Sequence, residues 1–324
     1  MKVLYHYNCF DGACSASMFT RFHRECVGTA ARYTYGGLAH KPGGTFQFAD
    51  FSGDENAIVD FKYSNDPRVT WWFDHHQSAF LTPEDLAEFE RGQANGAQSK
   101  RKFFDANYIS CTSLIAHVAE TKFGFDTSGL RELIYWADIV DGAKYESAKS
   151  AVEMEAPAMK LTMVIESASD PELIPTMIPL LTSMSLQEVL DQPFVQEQVG
   201  PLMAKHRVGI ELIRERAVVD RGVITFDLMD QTMEGYSKFI PYYLHPEGTY
   251  VVGLSKSSFR TKISVGTNPW TKKPVGELIN LAEICERYGG GGHARVGAIS
   301  YPADREDLAR AAAGEIEAKL KAVG

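Results

Sequence analysis

The chain has 324 residues, of which 44% are hydrophobic and 23% charged, and its formal net charge is -9. This composition excludes a disordered chain and is long enough for two domains. The acidic balance excludes the broad basic stripe on which long duplex nucleic acid binds.

Residues 3–5 are a short buried strand opening onto His6-Tyr7-Asn8-Cys9-Phe10-Asp11-Gly12, and a helix over about 13–24 follows. Residues 45–49 read as a second strand ending at Asp50. The third, 69–73, is a run of β-branched and aromatic residues leading into Asp74-His75-His76. Helical patterns separate the strands, which predicts a parallel sheet with helices on both faces. In such a sheet, ligands bind beyond the carboxyl ends of the strands, and all three strands finish on a candidate ligand. Residues 92–102 are polar and glycine-containing and read as a mobile surface loop.

Helices are expected over 110–123 and 129–139, the second carrying Trp136 to Gly142. Residues 151–191 are helical with proline interruptions, and 193–219 form a long connecting helix. The pattern then changes. Strands are expected over 222–228, 249–254 and 259–265, a turn at Asn268-Pro269-Trp270 and a helix over 275–288. Four glycines precede His293, and a helix over 304–321 closes the chain. The expected organisation is therefore α/β throughout. A metal-binding catalytic domain spans 1–192, a helical connector 193–219, and a smaller α/β substrate-binding domain 220–324. The five cysteines show no CxxC pair, a reduced, cytosolic pattern. No signal peptide or membrane span of about 20 apolar residues is visible, so a cytoplasmic protein without a membrane partner is expected.

His6, Asp11, Asp50, His75 and a carboxylate from 136–142 supply the two imidazoles and several carboxylates that hold two divalent ions. A shared carboxylate bridges such ions at about 3.5–4 Å, the spacing of two-metal phosphoryl chemistry. Imidazole with carboxylate suits Mn²⁺ first, then Mg²⁺ or Co²⁺. In the C-terminal part, the glycines before His293 let backbone N–H groups approach an anion, with His293, Arg295 and Arg260 as side-chain donors. Trp72, Phe259 and Trp270 can stack a base, although core packing is the simpler reading of each.

Taken in order, these motifs resemble the DHH phosphoesterase superfamily with its DHH-associated C-terminal domain, over essentially the whole chain. The motifs are His6-x-Asn8-Cys9-x-Asp11-Gly12, Asp50 at a strand end, Asp74-His75-His76, Ala137-Asp138-Ile139-Val140, and Gly290-Gly291-Gly292-His293 with Gly297 after it. The resemblance implies an active site in the interdomain cleft. It implies that His6 binds one ion and Asp11 the other, that Asp50 bridges them, and that His75 and Asp138 complete the second site. Asp141, three residues on, is the alternative to Asp138. His76 would face the scissile phosphate, with Asp74 supporting His75. Gly290, Gly291, Gly292, His293, Arg260 and Arg295 would hold the nucleotide end of the substrate. Cys9 stands where many members have the first Asp of Asp-x-Asp. As a softer ligand it weakens site one for hard ions, or it is merely buried and leaves that site fewer protein ligands.

The implied activity is metal-dependent hydrolysis of short nucleic acids, linear dinucleotides such as pGpG or pApA and short oligoribonucleotides, to mononucleotides. Alternatives are a phosphoanhydride hydrolase of the pyrophosphatase or exopolyphosphatase kind, and a cyclic-dinucleotide phosphodiesterase. A processive exonuclease fits poorly with the net charge of -9. A non-catalytic nucleotide-binding regulator has only Cys9 in its favour.

Overall fold

The run Val69-Thr70-Trp71-Trp72-Phe73-Asp74 lacks polar alternation because both of its faces are covered. Trp71 and Phe73 pack against Phe19 on one side of the sheet. Trp72 packs against Phe89 and Tyr63 on the other. The computed structural model describes residues 1–40, 45–96, 100–232 and 235–323. The chain divides into two units, Met1–Tyr145 with Glu155–Val199, and Glu146–Met154 with Gly200–Gly324.

The first unit holds an all-parallel sheet of five strands in the order β2-β1-β3-β4-β5. The strands are β1 (Lys2–His6), β2 (Thr34–Leu38), β3 (Asn56–Val59), β4 (Val69–Asp74) and β5 (Lys102–Phe104). Helices α1 (Phe10–Cys26) and α3 (Cys111–Phe123) cover one face, and α2 (Pro83–Ala94) the other. Helix α4 (Arg131–Asp141) packs on α1 and α3. In the second unit, α5 (Ala148–Glu153) precedes the return of the chain to the first unit. There α6 (Pro157–Glu166), α7 (Leu173–Leu181) and α8 (Leu186–Leu190) follow. Proline opens α6 and lies inside α7, which is why the stretch breaks into short helices. Helix α9 (Pro193–Arg216) runs on from the first unit into the second.

The second unit has a mixed sheet of six strands in the order β10-β11-β9-β8-β7-β6. These are β6 (Val218–Asp220), β7 (Val223–Thr232), β8 (Tyr250–Lys256), β9 (Arg260–Thr267), β10 (Gly291–His293) and β11 (Val296–Pro302). Among the described residues of this sheet, only β7 and β8 run parallel; the other pairs are antiparallel. Helix α10 (Ile240–Leu244) packs on α5. Helices α11 (Leu281–Glu286) and α12 (Glu306–Lys321) bury Ile284, Ala309, Ala313 and Ile316 against Val252, Ile263, Val265 and Ile299 of the sheet.

Three expectations change. Residues 45–49 are not a strand: a single 3₁₀ turn spans Phe48–Asp50, capped by the Asp50 carboxylate on Gln47 N–H (2.7 Å). The second sheet position in that region belongs instead to Asn56–Val59, whose Ala-Ile-Val run is fully buried. Residues 92–102 are helical at one end and enter β5 at the other, with Lys102 buried; 97–99 lie outside the described residues. The helix expected over 275–288 is a 3₁₀ turn at Val275–Glu277 and then α11. The Asn280 side chain caps α11 by accepting from Ala282 N–H.

Candidate metal centre

The carboxyl ends of β1, β3 and β4 deliver His6, Asp60 and the Asp74-His75-His76 triplet to one edge of the first sheet. His6 is the last residue of β1, and α1 starts four residues later, so the helix must turn back sharply over the strand end. Gly12 permits this: a Cβ there would lie 2.2 Å from the His6 carbonyl oxygen. Asp11, in the first turn of α1, is thereby buried at the N-terminus of α3. Its carboxylate accepts from Cys111 N–H (2.7 Å), Thr112 N–H (3.1 Å) and the Thr112 hydroxyl (2.6 Å). The helix dipole supports that charge, while burial and the neighbouring Asp60 and Asp141 push the Asp11 carboxyl upward.

Asp60, not Asp50, is the carboxylate at the centre. It follows β3 directly, has a left-handed backbone (φ 57°) and is fully buried. Its Oδ2 lies 3.5 Å from His6 Nδ1, and its Oδ1 lies 3.5 Å from His75 Nε2 and 3.7 Å from His76 Nδ1. Burial alone would raise its pKa, but the surrounding imidazoles of His6, His75 and His76 hold it down at about 2. Asp50 sits at the opposite, amino edge of the sheet. Its neighbour Ala49 accepts from Lys2 at the start of β1, and Phe48 accepts from Arg68 just before β4. Asp60 stands at the end of a strand of this sheet, whereas Asp50 lies in a 3₁₀ turn. The signal that finds Asp60 is the Ala57-Ile58-Val59 run immediately before it.

Two groups of potential metal ligands result: His6, Asp60 and His76, and Asp11, His75 and Asp141. Asp60 reaches toward both. His75 Nε2 lies 3.6 Å from Asp141 Oδ2 and 3.8 Å from Asp11 Oδ2. Its Nδ1 is 3.1 Å from the Tyr108 carbonyl, which fixes the ring and leaves Nε2 as the inward nitrogen. Burial works against a charged imidazole, but Asp60 and Asp11 raise the His75 pKa to about 10. Three carboxylates around one ring demand positive charge, and a bound cation meets that demand as a proton does.

Asp138 is not among these ligands. Its Oδ1 accepts from the hydroxyls of Ser110 and Ser113, both at 2.6 Å, and ties α4 to the start of α3. Asp141, one helical turn on, is the α4 carboxylate that stands in a group of potential ligands. It ends α4, where the negative pole of the helix disfavours a bare carboxylate and favours a cation. Burial and Asp60 raise its pKa to about 6. Asp74 is also placed differently from expectation. Its Oδ1 accepts from the His76 ring Nδ1 (2.7 Å) and from the backbone of His75 (2.8 Å), so it orients the His76 ring rather than the His75 ring. That leaves His76 Nε2 outward on a side chain 38% exposed. Cys9 caps α1 with its backbone only and joins neither ligand group. Burial, then Asp60 and Asp11, push its thiol well above the ordinary range.

The buried atoms His6 Nδ1, His75 Nε2 and both Asp60 carboxylate oxygens have no hydrogen-bond partner among the described residues. Buried polar atoms left unpaired cost about 1–3 kcal/mol each. Divalent cations held here would satisfy all four, so the donor set fits the expected ions.

The second-unit candidates do not gather in one place. Gly291 to His293 form the edge strand β10 in a hairpin with β11, not an open loop. Glycine is required where backbones touch: a Cβ on Gly290 would meet the Ala298 carbonyl at 2.3 Å, and one on Gly292 the Val296 carbonyl at 2.2 Å. His293 and Arg295 are exposed beside this hairpin, and Arg295 donates to the Asn268 carbonyl (3.2 Å). Arg260 pairs with Pro302, whereas Gly266 pairs with Val296 at the hairpin. Six residues of strand, about 20 Å, therefore separate Arg260 from His293 and Arg295. Of the stacking candidates, Trp72 is core and donates to the Phe61 carbonyl (2.9 Å), while Phe259 is 69% exposed. Trp270 stands edge-on to Phe239 at 5.7 Å.

No known family model matches the sequence, and no curated protein does. Solved structures do resemble it. A pGpG-specific phosphodiesterase, PggH of Vibrio cholerae, superposes with a TM-score of 0.68 at 17% identity, over 98% of this chain and 99% of that one. The DHH domain of a protein described as a member of a ribosomal-protein family gives 0.58 at 14%, over 97% and 85%. An exopolyphosphatase-related protein of Bacteroides fragilis gives 0.51 at 13%, over 99% and 92%.

Proposed function

For a chain with the two-domain fold of the DHH phosphoesterases, we propose metal-dependent hydrolysis of short nucleic acids, linear dinucleotides and oligoribonucleotides of a few residues, to mononucleotides. One observation carries this reading. The buried Asp60 carboxylate has one oxygen toward His6 and the other toward His75, and neither has a hydrogen-bond partner among the described residues. A carboxylate so placed would serve two cations at once, with His6 available to hold one and Asp11, His75 and Asp141 the other.

Two divalent ions, Mn²⁺ first, would acidify a water between them and neutralise phosphate oxygens. The protein's own part is positional. Tyr108 holds the His75 ring, Thr112 and the start of α3 hold Asp11, and Asp74 holds His76. Asp74, first among its surroundings, raises the His76 pKa and so favours the imidazolium, whose Nε2–H would face a phosphate oxygen or the leaving group. The net charge of -9, and the strand register that sets Arg260 about 20 Å from His293 and Arg295, support a short ligand over a long strand or a polyphosphate. His293 and Arg295 serve, in this reading, as the anchor for the nucleotide end.

The test is hydrolysis by metal-stripped protein with Mn²⁺ restored, across linear dinucleotides, a longer oligoribonucleotide, a cyclic dinucleotide and pyrophosphate. Preference for the linear dinucleotides is expected. Preference for pyrophosphate, or no turnover of any of them, overturns the reading.

A further inference from the structure

His40 lies two residues beyond β2, on the strand beside β1, in which His6 pairs with Leu38. Its ring stacks on the buried Phe61 (4.8 Å, 28°) and stands edge-on to His6 (5.3 Å, 72°). The stack holds the ring plane, while the residue as a whole is exposed. His40 makes no hydrogen bond among the described residues, so its ring N–H is free to donate.

Lys62 follows Asp60 by two residues, as Ser78 follows His76. The Lys62 ammonium donates to the Ser78 carbonyl and to its hydroxyl (2.8 Å). An ammonium has three donors, so one remains. Lys62 directly follows Phe61, on whose ring His40 stacks, so the ammonium leaves the chain one residue from the ring that holds His40. Neither His40 nor Lys62 forms an ion pair with a carboxylate among the described residues, and neither belongs to a ligand group. The two ligand groups are already supplied with three carboxylates and three imidazoles. Cationic and N–H-donating groups beside them repel a further metal ion and attract an anion.

We propose that His40 and Lys62 form a subsite for a second phosphate group of the substrate, next to the phosphate that is cleaved. This rests on the phosphoesterase reading above. Two substrate classes carry such a group: a dinucleotide with a 5′-phosphate, and a phosphoanhydride with a distal phosphate.

The experiment compares wild type, His40→Ala and Lys62→Met as full-length, Mn²⁺-loaded protein. The substrates are a 5′-phosphorylated dinucleotide, the same dinucleotide with a 5′-hydroxyl, and pyrophosphate. Each variant is expected to raise KM for the phosphorylated dinucleotide about ten- to hundredfold, the loss of one charge-assisted contact. The change in kcat, and in KM for the 5′-hydroxyl form, should stay within about threefold. Equal losses on both dinucleotides, or no loss on either, overturn the subsite. Mn²⁺ affinity by calorimetry should match wild type; its loss would make His40 a metal ligand and also overturn it. If wild type cleaves neither dinucleotide, the functional reading fails, and the subsite is judged by calorimetric pyrophosphate binding alone. Binding at least about tenfold weaker in both variants than in wild type supports the phosphoanhydride source, and equal binding overturns it.

Discussion

Asp60 holds a left-handed φ of 57° with its side chain wholly buried. A non-glycine residue in that region costs about 1–3 kcal/mol and persists where its surroundings require it. Here the reward is a carboxylate reaching both ligand groups. Asp60→Asn is expected to lower Mn²⁺-dependent turnover at least about 10²–10³-fold, the scale of losing a preorganised charge at the reacting centre. Asp50→Asn, at the amino edge of the sheet, should stay close to wild type; the reverse ranking would remove Asp60 from the centre. The pair on α4 is separable in the same way. Asp141→Asn should weaken Mn²⁺ binding measured by calorimetry, whereas Asp138→Asn should leave that affinity near wild type and lower thermal stability through its lost serine contacts. Asp74→Asn should cost about 10–100-fold in turnover, as supporting residues of such sites do. An unchanged rate would mean that the His76 ring needs no orientation.

At the scale of elements, α1 is placed by Gly12 and carries two titrating groups with opposite tasks. Gly12→Ala puts a Cβ against the His6 carbonyl and is expected to cost about 1–3 kcal/mol in unfolding free energy while disturbing His6 and Asp11 together. Wild-type stability in denaturant titrations would show that the helix can shift without loss. Further along α1, His23 is buried against Phe19 and Trp71, with Nδ1 2.9 Å from the Tyr33 hydroxyl. Burial lowers its pKa below the ordinary value. Well above that ordinary value both folded and unfolded chains hold it neutral, and it contributes no pH dependence. As pH falls through the unfolded value, the unfolded chain binds a proton that folded His23 refuses, so stability drops. His23→Phe should therefore have a shallower fall in stability from about pH 7.5 to 5.5, by up to about 1.4 kcal/mol per pH unit. Parallel curves would show that His23 is as readily protonated folded as unfolded.

At the scale of the whole molecule, the first unit concentrates Asp11, Asp60 and Asp74 at zero to one per cent exposure, with Asp141 beside them. Cations bound only by the folded form stabilise it by mass action, about 2.7 kcal/mol at a hundred times the dissociation constant. Adding Mn²⁺ to chelator-treated protein should raise the melting temperature of wild type and not of Asp60→Asn. An equal rise in both would place the ions elsewhere. No helix among the described residues is long and apolar enough to cross a membrane.

Residues whose role depends on local chemistry were legible in the sequence. The β-branched and aromatic run of β4 reads as a strand buried on both faces because no partner fold is needed to make it one. His6, Asp11 and the Asp74-His75-His76 triplet follow from standing at the ends of such strands or in the turn after them. Parallel strands with helices between them follow from the alternation alone. What required tertiary structure was the choice among similar carboxylates. Asp50 and Asp60 both follow short apolar stretches, but only one strand lies inside the sheet. Asp138 and Asp141 lie one turn apart on α4, and a rotation of the helix decides which meets His75 and which meets Ser110. His40 enters the site only because β2 pairs beside β1, a neighbour relation that no local spacing encodes. Arg260 leaves the glycine hairpin for the same reason: strand register sets it about 20 Å away, and register is a property of the assembled sheet.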